Sequence, residues 1–261
     1  MFVYEKELSE LHKWIQNELI LSKIIKHGSK GISTQRVQEW LTIHGYKLVI
    51  DGDFGKATHA AIERFQNDMN LIVNGVVDQN TFSTLTKPMT GTLQKKSFRS
   101  NITISTAMLE YAQEHLKQHP IEIGGQNRGP WVRMFMKGNQ GSDWPWCAGF
   151  TTFLLNQASQ TIGIKKPIDG SFSCDLLAMQ AKNARLFLSE KQAKSRPIPA
   201  GSWFLNRRTS GDWSHVGLVV ESRDDVLLTI EGNTNDDGSY EGYEVCERTR
   251  SYRNRDFIIF E

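Results

Sequence analysis

The chain has 261 residues, 39% of them hydrophobic and 23% charged, with a formal net charge of +2. That length favours two domains over one, and the near-neutral balance gives no reason to expect nucleic acid as a partner. No run approaches the ~20 apolar residues of a membrane-spanning helix, and Glu5, Lys6 and Glu7 stand where a secretory leader needs an unbroken apolar stretch. Synthesis in a cytoplasm without a signal peptide is therefore expected. Cys147, Cys174 and Cys246 are an odd number without paired spacing, which argues against a disulfide framework, and no C-x-x-C or His-x-x-x-His cluster suggests zinc.

Residues 4–26 predict an amphipathic helix with Leu8, Leu11, Ile15 and Leu19 on one face, packed on its own protein. In 34–44, Val37, Trp40, Leu41 and His44 fall at helical spacing before a stop at Gly45. Asp51-Gly52 reads as a turn, Asp53 as a helix N-cap, and Phe54, Ala61, Ile62, Phe65 and Met69 as the buried stripe of the next helix. A further turn at Gly75–Asp78 leads into Thr81, Phe82 and Leu85 and closes a three-helix unit. Asp51 and Asp53 look like the opening of a calcium loop, but the liganding Glu at loop position twelve is missing, so no metal is expected there.

From the residues alone this segment is a small helical bundle with well-formed turns. From Gly31 to Leu85 it also resembles the peptidoglycan-binding domain found at the ends of many cell-wall hydrolases. The resemblance runs through Val37-Gln38 with Leu41, Gly45, Asp51-Gly52-x-Phe54-Gly55-x-x-Thr58, Phe65-Gln66, Gly75, Asp78, Thr81 and Leu85. It implies bacterial peptidoglycan as the partner; composition alone does not. Residues 88–103 lack periodicity and are rich in Thr, Ser, Lys and Gly, as a linker is. The expected division is thus a binding domain over 1–87 (core 31–85, extra helix 4–26), a linker over 88–103 and a second domain over 104–261.

The second domain opens with a helix capped by Ser105 and running to about Gln118. In the stretch GSDWPWCAGF, Cys147 follows a Trp-Pro-Trp corner and starts a helical pattern in which Cys147, Phe150, Leu154 and Ala158 share an inward face. A thiol in the first turn of a helix meets unpaired N–H groups and the positive end of the macrodipole, which favour thiolate. Ala148-Gly149 is expected to leave room for substrate beside the sulfur. A buried cysteine is more often a small hydrophobe, so the nucleophile reading requires a base. Two strand-like runs, HVGLVVE and VLLTIEG, joined by SRDD, predict a hairpin. Counting from the turn puts His215 opposite Glu231 to within about one residue, with Asn233 on the same face. Cysteine, histidine and an orienting carboxylate then form a nucleophilic set.

These residues resemble the CHAP family of cysteine amidases and peptidases. The likeness rests on Trp146-Cys147-Ala148 with Phe150, on Gly201–Phe204, on His215-Val216-Gly217 and on Ile230–Asn233. It implies an α+β architecture, with a papain-like second domain of helices packed on an antiparallel sheet after the three-helix unit. It assigns the nucleophile to Cys147, the base to His215 and the orienting role to Glu231, with Asn233 beside it. Some phage members carry an Asp-rich calcium loop before the cysteine; only Asp143 stands there here, so catalysis without metal or other cofactor is expected. Trp144, Trp146 and Trp213 flank these residues and are candidates to wall a substrate groove. Cys174 precedes a helical pattern, but Asp175 beside it would raise its thiol pKa, and Cys246 lies in a strand.

The expectation is hydrolysis of a peptidoglycan amide, either the lactyl-alanine bond or one within the stem peptides, by a monomer acting in the periplasm. The rival settings are a phage-type endolysin and a toxin delivered by a secretion apparatus, the second implying a cognate immunity protein. A non-catalytic wall-binding protein is the alternative of another class. Cross-linking transpeptidases, which also occur beside wall-binding domains, carry their histidine shortly before the cysteine, unlike this chain.

Overall fold

The computed structural model describes residues 1–194, 196–224, 226–235 and 242–260. The N-terminal third is helical: α1 (Lys13–Leu19), α2 (Ile32–Ile43), α3 (Lys56–Asp68), α4 (Gln79–Leu85) and α5 (Lys87–Leu93). The expected helix over 4–26 is reduced to α1 and a 3-10 turn at Leu8–Glu10, with Leu11, Ile15 and Leu19 buried as the stripe requires. The segment after α1 leaves the helix because Ile25 pairs with Val77 in an isolated antiparallel bridge.

Two buried glutamines organise this unit. Gln38 Nε2 donates to Asp51 Oδ1, the Asp53 carbonyl and Thr58 Oγ1, and its Oε1 accepts from Gly52 N. Gln66 repeats the circuit one turn later, donating to Asn74 Oδ1, the Val76 carbonyl and Thr81 Oγ1 and accepting from the N–H groups of Asn74 and Gly75. Each loop is thus hydrogen-bonded from within, which is how a buried amide avoids its desolvation cost. Asp51 is spent on this turn. Asp53 is not an N-cap: Gly55 holds that position, and Asp53 pairs with Lys30 at 2.7 Å. Met69 lies past the end of α3 and is 41% exposed, so the buried stripe stops at Phe65.

The remainder is α+β. Helices α6 (Ile104–Gln118), α7 (Pro130–Phe135), α8 (Cys147–Ile162), α9 (Cys174–Asn183) and α10 (Glu190–Ala193) accompany six strands. The strands are β1 (Phe187–Leu188), β2 (Trp203–Thr209), β3 (Asp212–Arg223), β4 (Val226–Thr234), β5 (Glu244–Ser251) and β6 (Arg255–Ile258). They form one antiparallel sheet in the order β1-β6-β2-β3-β4-β5. Helix α8 packs against α6 on one side and against β3 and β4 on the other. The cap of α6 is Thr103, whose side chain accepts from Thr106 N, rather than Ser105.

Residues 87–93, expected to belong mostly to a linker, form α5, with Met89 and Leu93 buried. A short helix with small polar residues shows little periodicity, and here tertiary packing fixes it. Gln157 of α8 donates to the Thr92 carbonyl at 2.8 Å and accepts from His115 of α6, whose burial pushes its pKa down to about 4. The first residues also dock on the second part: Phe2 N donates to Gln160 Oε1, and Gln160 Nε2 donates to the Val3 carbonyl. Glu261, the expected last residue of the second domain, lies outside the described residues.

A buried ion cluster joins the helical third to α7. Arg133 (4% exposed) donates through Nε and Nη2 to Glu18 at 2.9 and 2.7 Å and through Nη2 and Nη1 to Glu39 at 2.6 and 3.2 Å. Arg36 adds a second cation to Glu18 at 3.2 Å, so two positive and two negative charges balance. Trp40 and Trp131 meet edge-to-face beside it at 5.9 Å. Removing one member of such a cluster leaves uncompensated buried charge. Arg133→Ala should therefore lower unfolding stability by about 3–5 kcal/mol in urea melts; a loss under about 1 kcal/mol would show that the cluster does not hold the halves together.

Candidate active site

Cys147 is the first residue of α8 and is 5% exposed. Its approach is fixed by Glu122, which accepts from Trp146 Nε1 at 2.8 Å and from Asn127 N at 2.7 Å. The Cys174 thiol, the His215 imidazole and the Val216 N–H all act on the sulfur in favour of its charged form. The hydrogen bond from Cys174 is the largest influence; burial opposes it, but the His215 charge and the remaining donors carry the thiol pKa well below its ordinary value. The same hydrogen bond and burial push Cys174 well above that value, so of the two sulfurs only Cys147 is held as thiolate.

His215 lies on β3, and its Nε2 is 2.8 Å from Glu231 Oε2 on β4, which leaves Nδ1 for the sulfur. Burial disfavours charge on the ring, yet the Cys147 thiolate and Glu231 carboxylate outweigh it and raise the pKa to about 10. The resting arrangement is a thiolate–imidazolium pair. Glu231 is fully buried. Burial would raise its pKa, but Arg250, donating from Nε at 2.8 Å and from Nη2 at 2.6 Å, together with His215, holds it far below the usual carboxylate range. Thr229 Oγ1 donates to its other oxygen at 2.6 Å.

The register differs from the sequence count. A bulge between Val219 and Glu221 shifts the ladder, whose last pair before the site is Leu218 with Ile230. Gly217 thereby faces Glu231, and His215 reaches the carboxylate diagonally. A Cβ on Gly217 would sit 2.7 Å from Glu231 Cγ, so the absent side chain opens that path. Asn233 lies in a second bulge, between Glu231 and Thr234, with left-handed φ of 55°. Its amide lines a cavity beside His215, while the imidazole's own partner is Glu231. Asp225 of the hairpin turn lies outside the described residues.

Three expectations need correction. Trp146 is fully buried, stacked on Phe135, and Trp213 is buried with its Nε1 on Asp256, so both are core rather than groove wall; both aromatic bodies are large enough to be drawn inside once the indole N–H has an acceptor. Trp144 is half-buried against Phe172. Ala148-Gly149 leaves no room for substrate: Ala148 is fully buried, and a Cβ on Gly149 would lie 2.2 Å from Met136 Sδ, so the small residues serve helix packing. The thiol of Cys246 is pushed up to about 12 by burial and Glu244 and has no part in the pair. Sequence reading missed Arg250, Thr229 and the contact of Cys174 with Cys147. Arg248 and Arg250 alternate with Cys246 along β5, a period-2 signal for a cation on the face of Glu231. Nothing in the chain order points to Cys174.

Residues 30–85 match the family described as "Putative peptidoglycan binding domain". The chain is 36% identical over 67 residues to the zinc D-Ala-D-Ala carboxypeptidase of Streptomyces albus G, a match covering 24% of this chain and 26% of that protein. Among solved structures, the SleB N-terminal domain is 31% identical, with a TM-score of 0.25, over 26% of this chain and 93% of that one. A Burkholderia AP3 phage endolysin is 27% identical, with a TM-score of 0.25, over 36% of this chain and 33% of the other. The chain thus spans about a quarter of the curated relative's length. Among the described residues no helix is long and apolar enough to cross a membrane, and no group of three or more His, Cys, Asp or Glu side chains could hold a metal ion.

The coupled shifts fix a pH dependence. The thiolate persists below the ordinary thiol pKa, and the imidazolium persists up to about pH 10. Alkylation of Cys147 by iodoacetamide, followed by peptide mass spectrometry, should therefore outpace alkylation of Cys246 at pH 7. His215→Ala should slow it at that pH, because the imidazolium charge and hydrogen bond that favour the thiolate are removed. Equal rates in the two proteins would refute the ion pair.

Proposed function

We propose that the chain is a cysteine peptidoglycan hydrolase of the CHAP type, with a wall-binding domain over 1–87 and a papain-like catalytic domain over 104–261. The observation that carries the reading is the chain of alternating charge from Cys147 through His215 and Glu231 to Arg250, beside an open cavity. The match of residues 30–85 supplies the substrate class. In this mechanism the Cys147 thiolate attacks an amide carbonyl, His215 protonates the leaving amine, and water activated by the then-neutral imidazole releases the acyl group from the thioester. The Cys147 N–H, unpaired at the start of α8, serves the oxyanion. Glu231 orients the imidazole and balances its charge.

The bond cut is either the amide between glycan and stem or one within the stems. A phage-type endolysin is the preferred setting; a delivered toxin with its immunity protein is the alternative, and a neighbouring holin gene would favour the first. A second mechanism is suggested by the zinc peptidase that shares part of this sequence. Digestion of purified peptidoglycan tests both, and a non-catalytic wall-binding role as well. Wild type should release fragments in the presence of a zinc chelator and lose activity on thiol alkylation, and Cys147→Ala should bind walls but release nothing. Sugar-free peptides would assign the glycan–stem amide, and un-cross-linked muropeptides a stem bond. Retained hydrolysis by Cys147→Ala, or loss of activity on chelation, would overturn the cysteine mechanism.

A further inference from the structure

Beside His215 lies a cavity of about 280 Å³ whose wall includes Phe204, Asn206, Asn233, Arg250 and Arg255. That is slightly under the range of roughly 300–1,000 Å³ for drug-sized ligand pockets and suits a short peptide portion. Two groups on its wall have bonding capacity left over. Arg255 opens β6 with its guanidinium 5.8 Å over the Phe204 ring; Nη1 donates to the Arg253 carbonyl, and the buried Nε has no acceptor. No carboxylate among the described residues lies within ion-pair distance of it, whereas Arg250 is spent on Glu231 and Arg207 on Glu190 and Asp256. Asn233 contributes a buried Oδ1 without a donor.

The charge count around the cavity points the same way. Among the described residues Cys147 and His215 cancel, as do Glu231 and Arg250, so Arg255 leaves one positive charge unmatched there. Burial and the neighbouring Arg250 both work against that charge, with Glu231 and Glu190 offsetting it only at a distance. A neutral sugar does nothing for it; an anion does.

We infer that this cavity is a subsite for a carboxylate-bearing residue of the stem peptide next to the scissile amide. Arg255 takes the carboxylate and Asn233 Oδ1 accepts an N–H of the same residue. This deepens the hydrolase reading and rests on it. Arg255 is then a specificity residue: the protein discriminates stems with a free carboxylate from stems in which it is amidated.

The test is calorimetric binding of two muropeptides, identical except that one carboxylate is a carboxamide in the second, to full-length Cys147→Ala protein. Cys147→Ala binds without cleaving if Cys147 is the nucleophile, and cleavage by it would refute the cysteine mechanism separately. The acid should bind roughly tenfold or more tightly than the amide, the size of one charge-assisted hydrogen bond. Adding Arg255→Gln should erase that difference and Arg255→Lys should restore part of it. In a wild-type background, Arg255→Gln should raise KM for the acid alone and leave the iodoacetamide rate of Cys147 unchanged. Equal binding of the two muropeptides, or a loss by Arg255→Gln that is the same for both, would overturn the subsite.

Discussion

The structure around the site depends on a carboxylate placed where water cannot reach it. Glu231 is fully buried, and a buried unpaired charge costs several kcal/mol even after relaxation. Its two oxygens are met by the Arg250 fork, the Thr229 hydroxyl and the His215 imidazole. The sheet order makes this possible, since β4 lies between β3, which brings His215, and β5, which brings Arg250. Two glycines complete it. Gly217 removes the side chain that would block the diagonal reach of Glu231, and Gly232 lets α8 come close enough that a Cβ there would stand 2.8 Å from Phe150. That close approach seats the first residue of α8 over the strand that carries the histidine.

The helical third is held to α7 by groups of the same kind. Arg133 with Glu18, Glu39 and Arg36 is a second buried cluster balanced in charge. Its geometry is directional, because a guanidinium fork binds two carboxylates only in one plane. Apolar contact such as Trp40 on Trp131 tolerates sliding; the fork does not. The offset between the wall-binding unit and the cavity is thereby fixed, and α5 and the first residues reinforce it by docking on α8 through Gln157 and Gln160.

The α+β class was legible through the family resemblance carried by the residues around Cys147, His215 and Glu231, and the pairing of His215 with Glu231 was legible because a short hairpin limits which residues can meet. The exact register was not. Ser222 and Arg223, read as part of the connection, pair with Leu227 and Val226, which shifts the ladder by two residues, and the bulge near Val220 takes one of them back. Residues whose role comes from distant packing were also hidden. Trp146 and Trp213 read as groove aromatics because chain proximity to Cys147 and His215 says nothing about the direction of an indole. Arg133 carried no signal in the sequence, since its partners Glu18 and Glu39 lie about a hundred residues away. Cys174 was judged by its neighbour Asp175, yet the dominant influence on it is the sulfur of Cys147, far from it in the chain.

The coupling between the two reacting groups explains why so deep a stabilisation of the thiolate does not defeat the proposed hydrolysis. Lowering a thiol pKa costs nucleophilicity, with a Brønsted slope of about 0.4–0.5, and below ambient pH it gains no further thiolate. What the pairing adds is a proton. Cleaving an amide requires an acid for the departing amine, and an imidazole raised to about 10 keeps its proton throughout neutral pH. Much of that elevation comes from the negative sulfur. Once the sulfur has bonded to the carbonyl carbon its charge is gone, the imidazole's affinity for the proton falls, and the proton passes to the amine as the C–N bond breaks and the thioester forms. Glu231, whose charge does not change, holds the ring in line through both states.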